Sequence, residues 1–184
     1  MKSSYIAYID ILGTKNSSEN EDFDEYLKSI TNFQNELLAV VPDLEGHGKI
    51  HFFSDCAFIE SENLDTMIKV LKNIRNDLFN TGLFIRGALI KGTLAAITGK
   101  ETEEEINNYL DISKKTLSTW KRCKQYSSEI GGALFLNKDV AKAAYYESFL
   151  KASAIYVDNE LAEISIKSQL VNSGFISDVN KIYI

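Results

Sequence analysis

The sequence has 184 residues, of which 45% are hydrophobic and 25% charged, and its formal net charge is −6 at pH 7. This composition is typical of one globular domain with a sizeable core, and we expect a single domain over residues 1–184. The mildly acidic balance argues against non-specific binding to nucleic acid or anionic lipid, because phosphate contacts require clustered Lys and Arg. This net charge is compatible with a small phosphorylated substrate that is held by one or two cationic side chains and a metal.

Cysteine usage and hydropathy indicate a cytoplasmic protein. Cys56 and Cys123 are the two cysteines, and their spacing predicts neither a zinc site nor a disulfide framework. Residues 1–4 lead directly into a strand-like segment without a signal-peptide pattern. No apolar stretch approaches the roughly 18 residues of a membrane helix.

Apolar periodicity predicts the elements of the first half in chain order. They are a buried strand over 4–12, an amphipathic helix over 22–41, two strands over 49–60, a second helix over 62–80 and a strand over 83–92. Pro42 ends the first helix and Gly82 follows the second. This order is the βαββαβ pattern of ferredoxin-like sheets, with the helices on one face. The expected fold class is therefore α/β (α+β).

The second half adds elements to this core. Thr102 and Glu105 form a capping box, which predicts a long polar helix over roughly 102–127. Further elements are predicted as a strand over 133–136, a helix over 138–149, short strands near 154–157 and 161–166, and a last strand over 181–184. The fold thus has extra C-terminal strands, with no linker-like composition that would mark a domain boundary.

Two aspartates lie inside β-prone apolar segments, Asp10 in YIAYIDILG (residues 5–13) and Asp55 in IHFFSDCAFI (residues 50–59). An ionised carboxylate is costly to bury unless something compensates it, so two such positions indicate a functional site. In a ferredoxin-like sheet, the end of the first strand and the hairpin turn at Ser54 and Asp55 are neighbours. Together with the backbone carbonyl of Ile11, the two carboxylates form a hard-oxygen site that suits Mg²⁺ or Mn²⁺.

Three segments resemble the core of class III nucleotidyl cyclases in order and rough spacing. They are YIDILG at residues 8–13, FSD at 53–55 and RGALIKG at 86–92. The resemblance is strongest to the small bacterial pyrimidine cyclases of the Pycsar antiphage systems. Those enzymes carry an apolar strand ending in Asp-Ile-Leu-Gly, a Phe-Ser-Asp turn and an Arg-Gly-Ala strand. The resemblance covers about residues 5–95.

The resemblance implies a role for each matching residue. Asp10 and Asp55 would bind two divalent metals around a nucleoside triphosphate, whose ribose 3′-hydroxyl attacks the α-phosphorus and expels pyrophosphate. Arg86 matches an arginine that meets the triphosphate, and its planar fork suits phosphate oxygens. His51 stands four residues before the second metal aspartate, at the base-selecting position. It departs from the Lys and Glu of adenylyl and guanylyl enzymes, which favours a non-purine base.

The second half departs from the cyclase pattern. Class III cyclases carry an Asn and an Arg four residues apart on a helix that reaches the partner subunit's site, and this sequence has no Asn-x-x-x-Arg. The nearest substitute is Ser118 with Arg122, whose spacing places both on one face of the predicted long helix. Arg122 is therefore the candidate for stabilising the transition state.

Each of these residues also has a purely structural interpretation. Asp10 could pair with a basic residue at a strand end, and Asp55 could be an ordinary turn aspartate. Arg86 could be an ion-pair partner, and His51 a plain strand residue. Arg122 belongs to a basic cluster, and such a cluster is usually a solvated helix face.

The expected function is that of a nucleotidyl cyclase that uses UTP or CTP, with two Mg²⁺ or Mn²⁺ ions per site. The resemblance further implies a homodimer with interface active sites, a role in antiphage signalling, and a separate effector that senses the cyclic nucleotide. No nucleic acid or membrane partner is expected. One alternative is a cyclase-like module that binds a nucleotide or a protein without turnover. Another is a cyclic-dinucleotide synthase or other nucleotidyltransferase on a palm-like core, although no Gly-Gly-Asp-Glu-Phe stretch favours the dinucleotide version.

Overall fold

Seven strands form one mixed sheet in the computed structural model. The structure describes residues 4–13, 23–44, 48–92, 94, 96–97, 134–135, 138–150, 152–158, 161, 177–178 and 181–183. The elements are β1 (Ser4–Ile11), α1 (Phe23–Ala39), a 3-10 turn (Val41–Leu44), β2 (Gly48–Phe53), β3 (Cys56–Ser61), α2 (Leu64–Asn80), β4 (Ile85–Gly92), β5 (Ala96–Ile97), β6 (Leu134–Phe135), α3 (Lys138–Ser148), β7 (Ile155–Val157), β8 (Ser177–Asp178) and β9 (Lys181–Tyr183). Within these ranges, no helix is both long enough and apolar enough to cross a lipid bilayer.

The strand order is β2-β3-β1-β4-β7-β9-β8, so β1 lies between two antiparallel neighbours, β3 and β4. β4 pairs with β7 in parallel, which makes the sheet mixed, and β5 pairs with β6 in a separate two-stranded sheet. Apart from the 3-10 turn, the first six elements follow the order β1-α1-β2-β3-α2-β4. The predicted ferredoxin-like core is therefore confirmed, together with the extra C-terminal strands.

The two faces of β1 pack against different helices, because successive side chains of a strand point to opposite sides. Ala7, Ile9 and Ile11 belong to the larger core, which holds the buried side chains of α1 and α2. Ile6 belongs to a smaller core with Val140 and Ala143 of α3. The two core helices thus share one face, as predicted, and α3 covers the opposite face. Asp10 shares the α3 side with Ile6.

Only the C-terminal half of the apolar stripe on α1 is buried. Phe33 and Leu37 are fully buried, whereas Phe23 is 67% and Leu27 44% exposed. The predicted amphipathic helix is present, and its first turns extend beyond the core. Helical periodicity identifies a stripe, but it does not say how far along the helix a packing partner extends.

The predicted boundaries of the other described elements are accurate to within a few residues. α1 ends at Ala39, three residues before Pro42, which lies in the 3-10 turn. Gly82 has a φ of +80° after α2, the left-handed conformation expected of a glycine at a helix end. The capping box and the long helix over 102–127 lie outside the described residues, as does the predicted strand over 161–166 except Leu161.

Gly87 permits the close approach of β4 to β1. It pairs with Ile9, and a Cβ atom at this position would lie 2.4 Å from the backbone oxygen of Tyr8 and 2.8 Å from Cγ2 of Ile9. Backbone in the middle of a sheet cannot move away without breaking ladder hydrogen bonds. The glycine of the Arg-Gly-Ala segment is therefore required by packing.

We expect Gly87→Ala to destabilise the fold by about 1–3 kcal/mol, the usual cost of overpacking. Urea unfolding followed by circular dichroism measures the change. Lys91→Ala, at an exposed position of the same strand, is the control. A loss in Lys91→Ala as large as that in Gly87→Ala would contradict the argument.

Candidate functional site

The end of β1 brings the two predicted aspartates together. Asp10 lies opposite Cys56 on β3 and opposite Arg86 on β4. The amide of Ile11 donates a hydrogen bond of 3.0 Å to the backbone oxygen of Asp55, which ties the hairpin turn to the end of the strand. Asp10 and Asp55 thus lie at the same end of the central strands, as the sequence predicted, and we call this end of the strands the edge of the sheet.

The turn that carries Asp55 is held in an uncommon conformation. Ser54 has a φ of +48°, in the left-handed region that non-glycine residues rarely adopt. The side-chain amide of Gln34, on α1, donates to the backbone oxygen of Ser54 over 3.3 Å. Helix α1 and strand β1 therefore both contribute to the position of Asp55.

Arg86 neutralises Asp10 directly. Its Nη2 and Nε lie 3.0 and 3.3 Å from Oδ2 of Asp10, and its Nη1 donates to the backbone oxygen of Leu150 over 3.3 Å. Nε also forms an ion pair with Oε1 of Glu147. The structural interpretation of Arg86 as an ion-pair partner is therefore correct for this state, whereas its contact with phosphate stays a prediction.

Glu147 was not indicated by the sequence patterns above. Its side chain is only 7% exposed, compared with 16% for Asp10 and 28% for Arg86. It follows Val140 and Ala143 at helical spacing, and these three residues are the buried positions of α3. A carboxylate on the buried stripe of an amphipathic helix is the signal that would have found it, since such a group requires a cationic partner.

Tyr8 and Cys56 form a neutral pair beside the carboxylates. Their side chains are hydrogen-bonded, and burial is the main cause that raises the pKa of each above its usual value. The charges of Asp10 and Glu147 raise both pKa values further. The Cys56 thiol is therefore protonated near neutral pH, which argues against a nucleophilic role.

His51 lies on the same face of the sheet as Asp10 but two strands away. It pairs with Phe58, which in turn pairs with Tyr8 on β1, and facing residues of antiparallel strands share a side. His51 is half-buried, and nothing in the structure tests its contact with a base. The side chain of Ile11 belongs to the helix-side core, so only its backbone could contact a metal ion. Arg122 lies outside the described residues.

The donor set at this edge fits a divalent cation with few protein ligands. Across the described part of the chain, no group of three or more His, Cys, Asp or Glu side chains is arranged to hold a metal ion. Mg²⁺, however, is usually bound by one or two carboxylates together with waters and substrate phosphates. Asp10 and Asp55 are the two carboxylates at this end of the sheet that could hold such a cation, and Oδ2 of Asp10 also accepts from Arg86.

Comparison with known proteins identifies the fold. No family model and no curated protein matches the chain. Among solved structures, the guanylyl cyclase domain of the RhoGC fusion protein from the aquatic fungus Blastocladiella emersonii has a TM-score of 0.61 and 14% identity, over 100% of this chain and 94% of that one. The chain has the class III nucleotidyl cyclase fold.

Two further cyclase domains agree with this assignment. The guanylate cyclase domain of RhGC from Catenaria anguillulae, in complex with GTP, has a TM-score of 0.59 and 12% identity, over 99% of this chain and 93% of that one. The adenylyl cyclase CyaB from P. aeruginosa has a TM-score of 0.53 and 15% identity, over 99% and 91%. At such identities, the cyclase fold is shared while the choice of substrate is not determined.

The pKa argument predicts slow alkylation of Cys56. In a Cys123→Ser variant, Cys56 is the single thiol, and its reaction with iodoacetamide at mildly alkaline pH should be several-fold slower than in the unfolded chain. Asp10→Asn should accelerate the reaction, because it removes a charge that raises the Cys56 pKa. This increase in rate should be smaller than the increase on unfolding, since burial raises the Cys56 pKa more than the charge of Asp10 does. Thiol kinetics that are the same in Asp10→Asn as in the exposed control Asp65→Asn would contradict the electrostatic contribution.

Proposed function

We propose that this chain is a nucleotidyl cyclase, a single domain that converts a nucleoside triphosphate to a 3′,5′-cyclic nucleotide and pyrophosphate. The observation that carries the proposal is the position of Asp10 and Asp55 at one edge of a cyclase-type sheet, joined by the hydrogen bond from Ile11 to Asp55. Two carboxylates beside a substrate polyphosphate are the donors that a two-metal phosphoryl-transfer site requires.

Asp10 and Asp55, with the Ile11 carbonyl, are the proposed ligands of two Mg²⁺ or Mn²⁺ ions. When bound, these ions supply Lewis-acid activation of the ribose 3′-hydroxyl and charge neutralisation on the leaving pyrophosphate. The edge position suits this task, because a polyphosphate can reach both carboxylates from the end of the sheet.

Arg86 and Arg122 are the proposed cations for the substrate's charge. Arg86 stands beside Asp10, and its side chain is 28% exposed. To bind a phosphate oxygen, it has to exchange one of its contacts with protein oxygens. Arg122 is proposed to stabilise the transition state, on the basis of its sequence position alone.

We infer UTP or CTP as the substrate, with His51 reading the base. What supports this is the resemblance of the Asp-Ile-Leu-Gly, Phe-Ser-Asp and Arg-Gly-Ala segments to pyrimidine cyclases of the Pycsar systems. His51 lies on the same face as Asp10, which is compatible with one nucleotide that reaches both. The same resemblance supports a cytoplasmic role in antiphage signalling, with a separate effector that senses the cyclic product.

A homodimer with active sites at its interface is part of the proposal. One of the similar structures is a non-canonical dimeric guanylyl cyclase domain from Blastocladiella emersonii, with a TM-score of 0.60 and 13% identity. In this proposal one chain contributes Asp10, Asp55 and Arg86, and the second chain adds further substrate contacts.

A second candidate function is a cyclase-like module that binds a nucleotide or a protein without turnover. The observation that favours it is the double contact of Arg86 with Oδ2 of Asp10, which occupies an oxygen that an active enzyme needs for its metal. The two functions differ in product formation, so one assay separates them.

We expect the purified chain, incubated with Mn²⁺ and each of the four NTPs, to form a cyclic nucleotide from UTP or CTP, identified by mass spectrometry. Asp55→Asn should lower the rate at least about a hundredfold, more than the loss typical of residues that only support a metal ligand. Asp77→Asn, which removes an exposed carboxylate from α2, is the matched control. If folded protein releases pyrophosphate from none of the NTPs, the non-catalytic module is the better conclusion.

His51→Ala should change the ratio of kcat/KM values among the four NTPs more than it changes the Mn²⁺ concentration for half-maximal rate. The reason is that His51 lies two strands from Asp10 and is proposed to contact the base. His51→Asn, which keeps hydrogen-bonding capacity, should preserve more of the preference. An unchanged NTP profile in His51→Ala would remove this residue from the base site.

A further inference from the structure

Arg86 is held between carboxylates from two different parts of the fold. Asp10 comes from β1 in the middle of the sheet, and Glu147 comes from α3, which covers that face. We call Asp10, Arg86 and Glu147 the Arg86 cluster. Glu147 is its most buried member, at 7% side-chain exposure, and both carboxylates contact the same guanidinium.

The C-terminal end of α3 reinforces the contact with Glu147. Nη1 of Arg86 donates to the backbone oxygen of Leu150, just beyond the helix, where the partial negative charge of the helix dipole is concentrated. The amide of Leu150 donates to the backbone oxygen of Glu147 over 2.9 Å, so both Arg86 acceptors belong to one hydrogen-bonded turn. Arg86 therefore has two partners at the C-terminal end of α3, Glu147 and Leu150, that are independent of Asp10.

Helix α3 is itself anchored to the sheet. Lys142, one turn before Glu147, forms an ion pair with the buried Asp158, which follows β7. The amide of Asp158 donates to the backbone oxygen of Leu89 on β4 over 2.9 Å. The helix that presents Glu147 is thus connected to the strand that presents Arg86, and the distance between the two residues is constrained by the fold.

This arrangement makes Arg86 and a divalent cation competitors for Asp10. Both are cations that require the same carboxylate, and Asp10 cannot give its full charge to both. If a cation occupies Asp10, Arg86 loses one carboxylate but keeps Glu147 and the Leu150 carbonyl. Without Glu147, the same event leaves a partly buried guanidinium with no carboxylate, which is costly.

We propose that Glu147 is a positioning residue that acts through Arg86: it retains the guanidinium on α3 and so makes Asp10 available to a divalent cation. The proposal rests on the proposed function in one respect, since the cation at Asp10 belongs to that activity. Glu147, which lies outside the cyclase-like segments, thereby controls the affinity of the site for a metal ion.

The test is a double-mutant cycle on Mn²⁺ binding, measured by the electron paramagnetic resonance of free Mn²⁺ in the absence of nucleotide. The four proteins are wild type, Glu147→Gln, Arg86→Gln and the double variant. Circular dichroism establishes that each is folded. If Arg86→Gln does not fold, Arg86→Met replaces it, because methionine also removes the competing charge and keeps a long side chain between β4 and α3. Asp139→Asn, at the other end of α3, is the control for loss of one negative charge.

We expect Glu147→Gln to weaken Mn²⁺ binding about tenfold in the wild-type background, the size of effect known for groups that orient metal ligands. In the Arg86→Gln background, the same substitution should change binding less than about twofold, because the competing guanidinium is gone. Asp139→Asn should leave the affinity unchanged. Equal losses in both backgrounds would show that Glu147 acts by its own charge or as a ligand, and would overturn the proposal. No loss in the wild-type background, or no Mn²⁺ binding by the wild type, would also overturn it.

A spectroscopic measurement reports on Arg86 itself. The guanidinium resonances of Arg86 should change less on addition of Mg²⁺ to the wild type than on addition to Glu147→Gln, because the ion pair with Glu147 retains the group at α3. Equal changes in the two proteins would contradict retention. Neither experiment uses turnover, so a chain that fails to cyclise any NTP but shows the coupling would refute the proposed function and leave this inference standing.

Discussion

The pairing of Asp10 with Arg86 across β1 and β4 is the interaction on which the candidate site depends. Strand β1 has strands on both edges and helices over both faces, so a carboxylate near its end has limited access to water. A charge in such a position requires a counter-charge at fixed distance. Arg86 supplies it from the facing position of the neighbouring strand, and Gly87 allows that strand to approach closely.

A partly buried ion pair of this kind contributes little net stability, whereas removal of one partner is destabilising because the other charge loses its counter-charge. The main effect of the Arg86 cluster is therefore to fix the positions of three charges, and its contribution to stability is small. It fixes a carboxylate, a guanidinium and a second carboxylate at one edge of the sheet, next to the turn of Asp55. The same guanidinium that neutralises Asp10 also contacts Glu147, which links the proposed metal site to α3.

The shared fold and the local chemistry give different kinds of information about function. The solved cyclase domains extend along nearly the whole chain at 12–15% identity, so they define the architecture. Function belongs to sites rather than folds, and the substrate depends on a few side chains. Asp10 and Asp55 occupy the edge that the proposed chemistry needs, while His51 and Glu147 give the site a composition of its own.

The order of elements, the two core helices and the neighbourhood of Asp10 and Asp55 followed from the sequence alone. Apolar periodicity and turn residues determine these features locally, and a βαββαβ order admits few arrangements. The partners of Arg86 could not be predicted in this way. Residues 10, 86 and 147 are distant in the chain, and no local pattern records which strand and helix meet. Strand register set Asp10 against Arg86, and packing of α3 on the second face added Glu147, so only the tertiary structure could join the three charges.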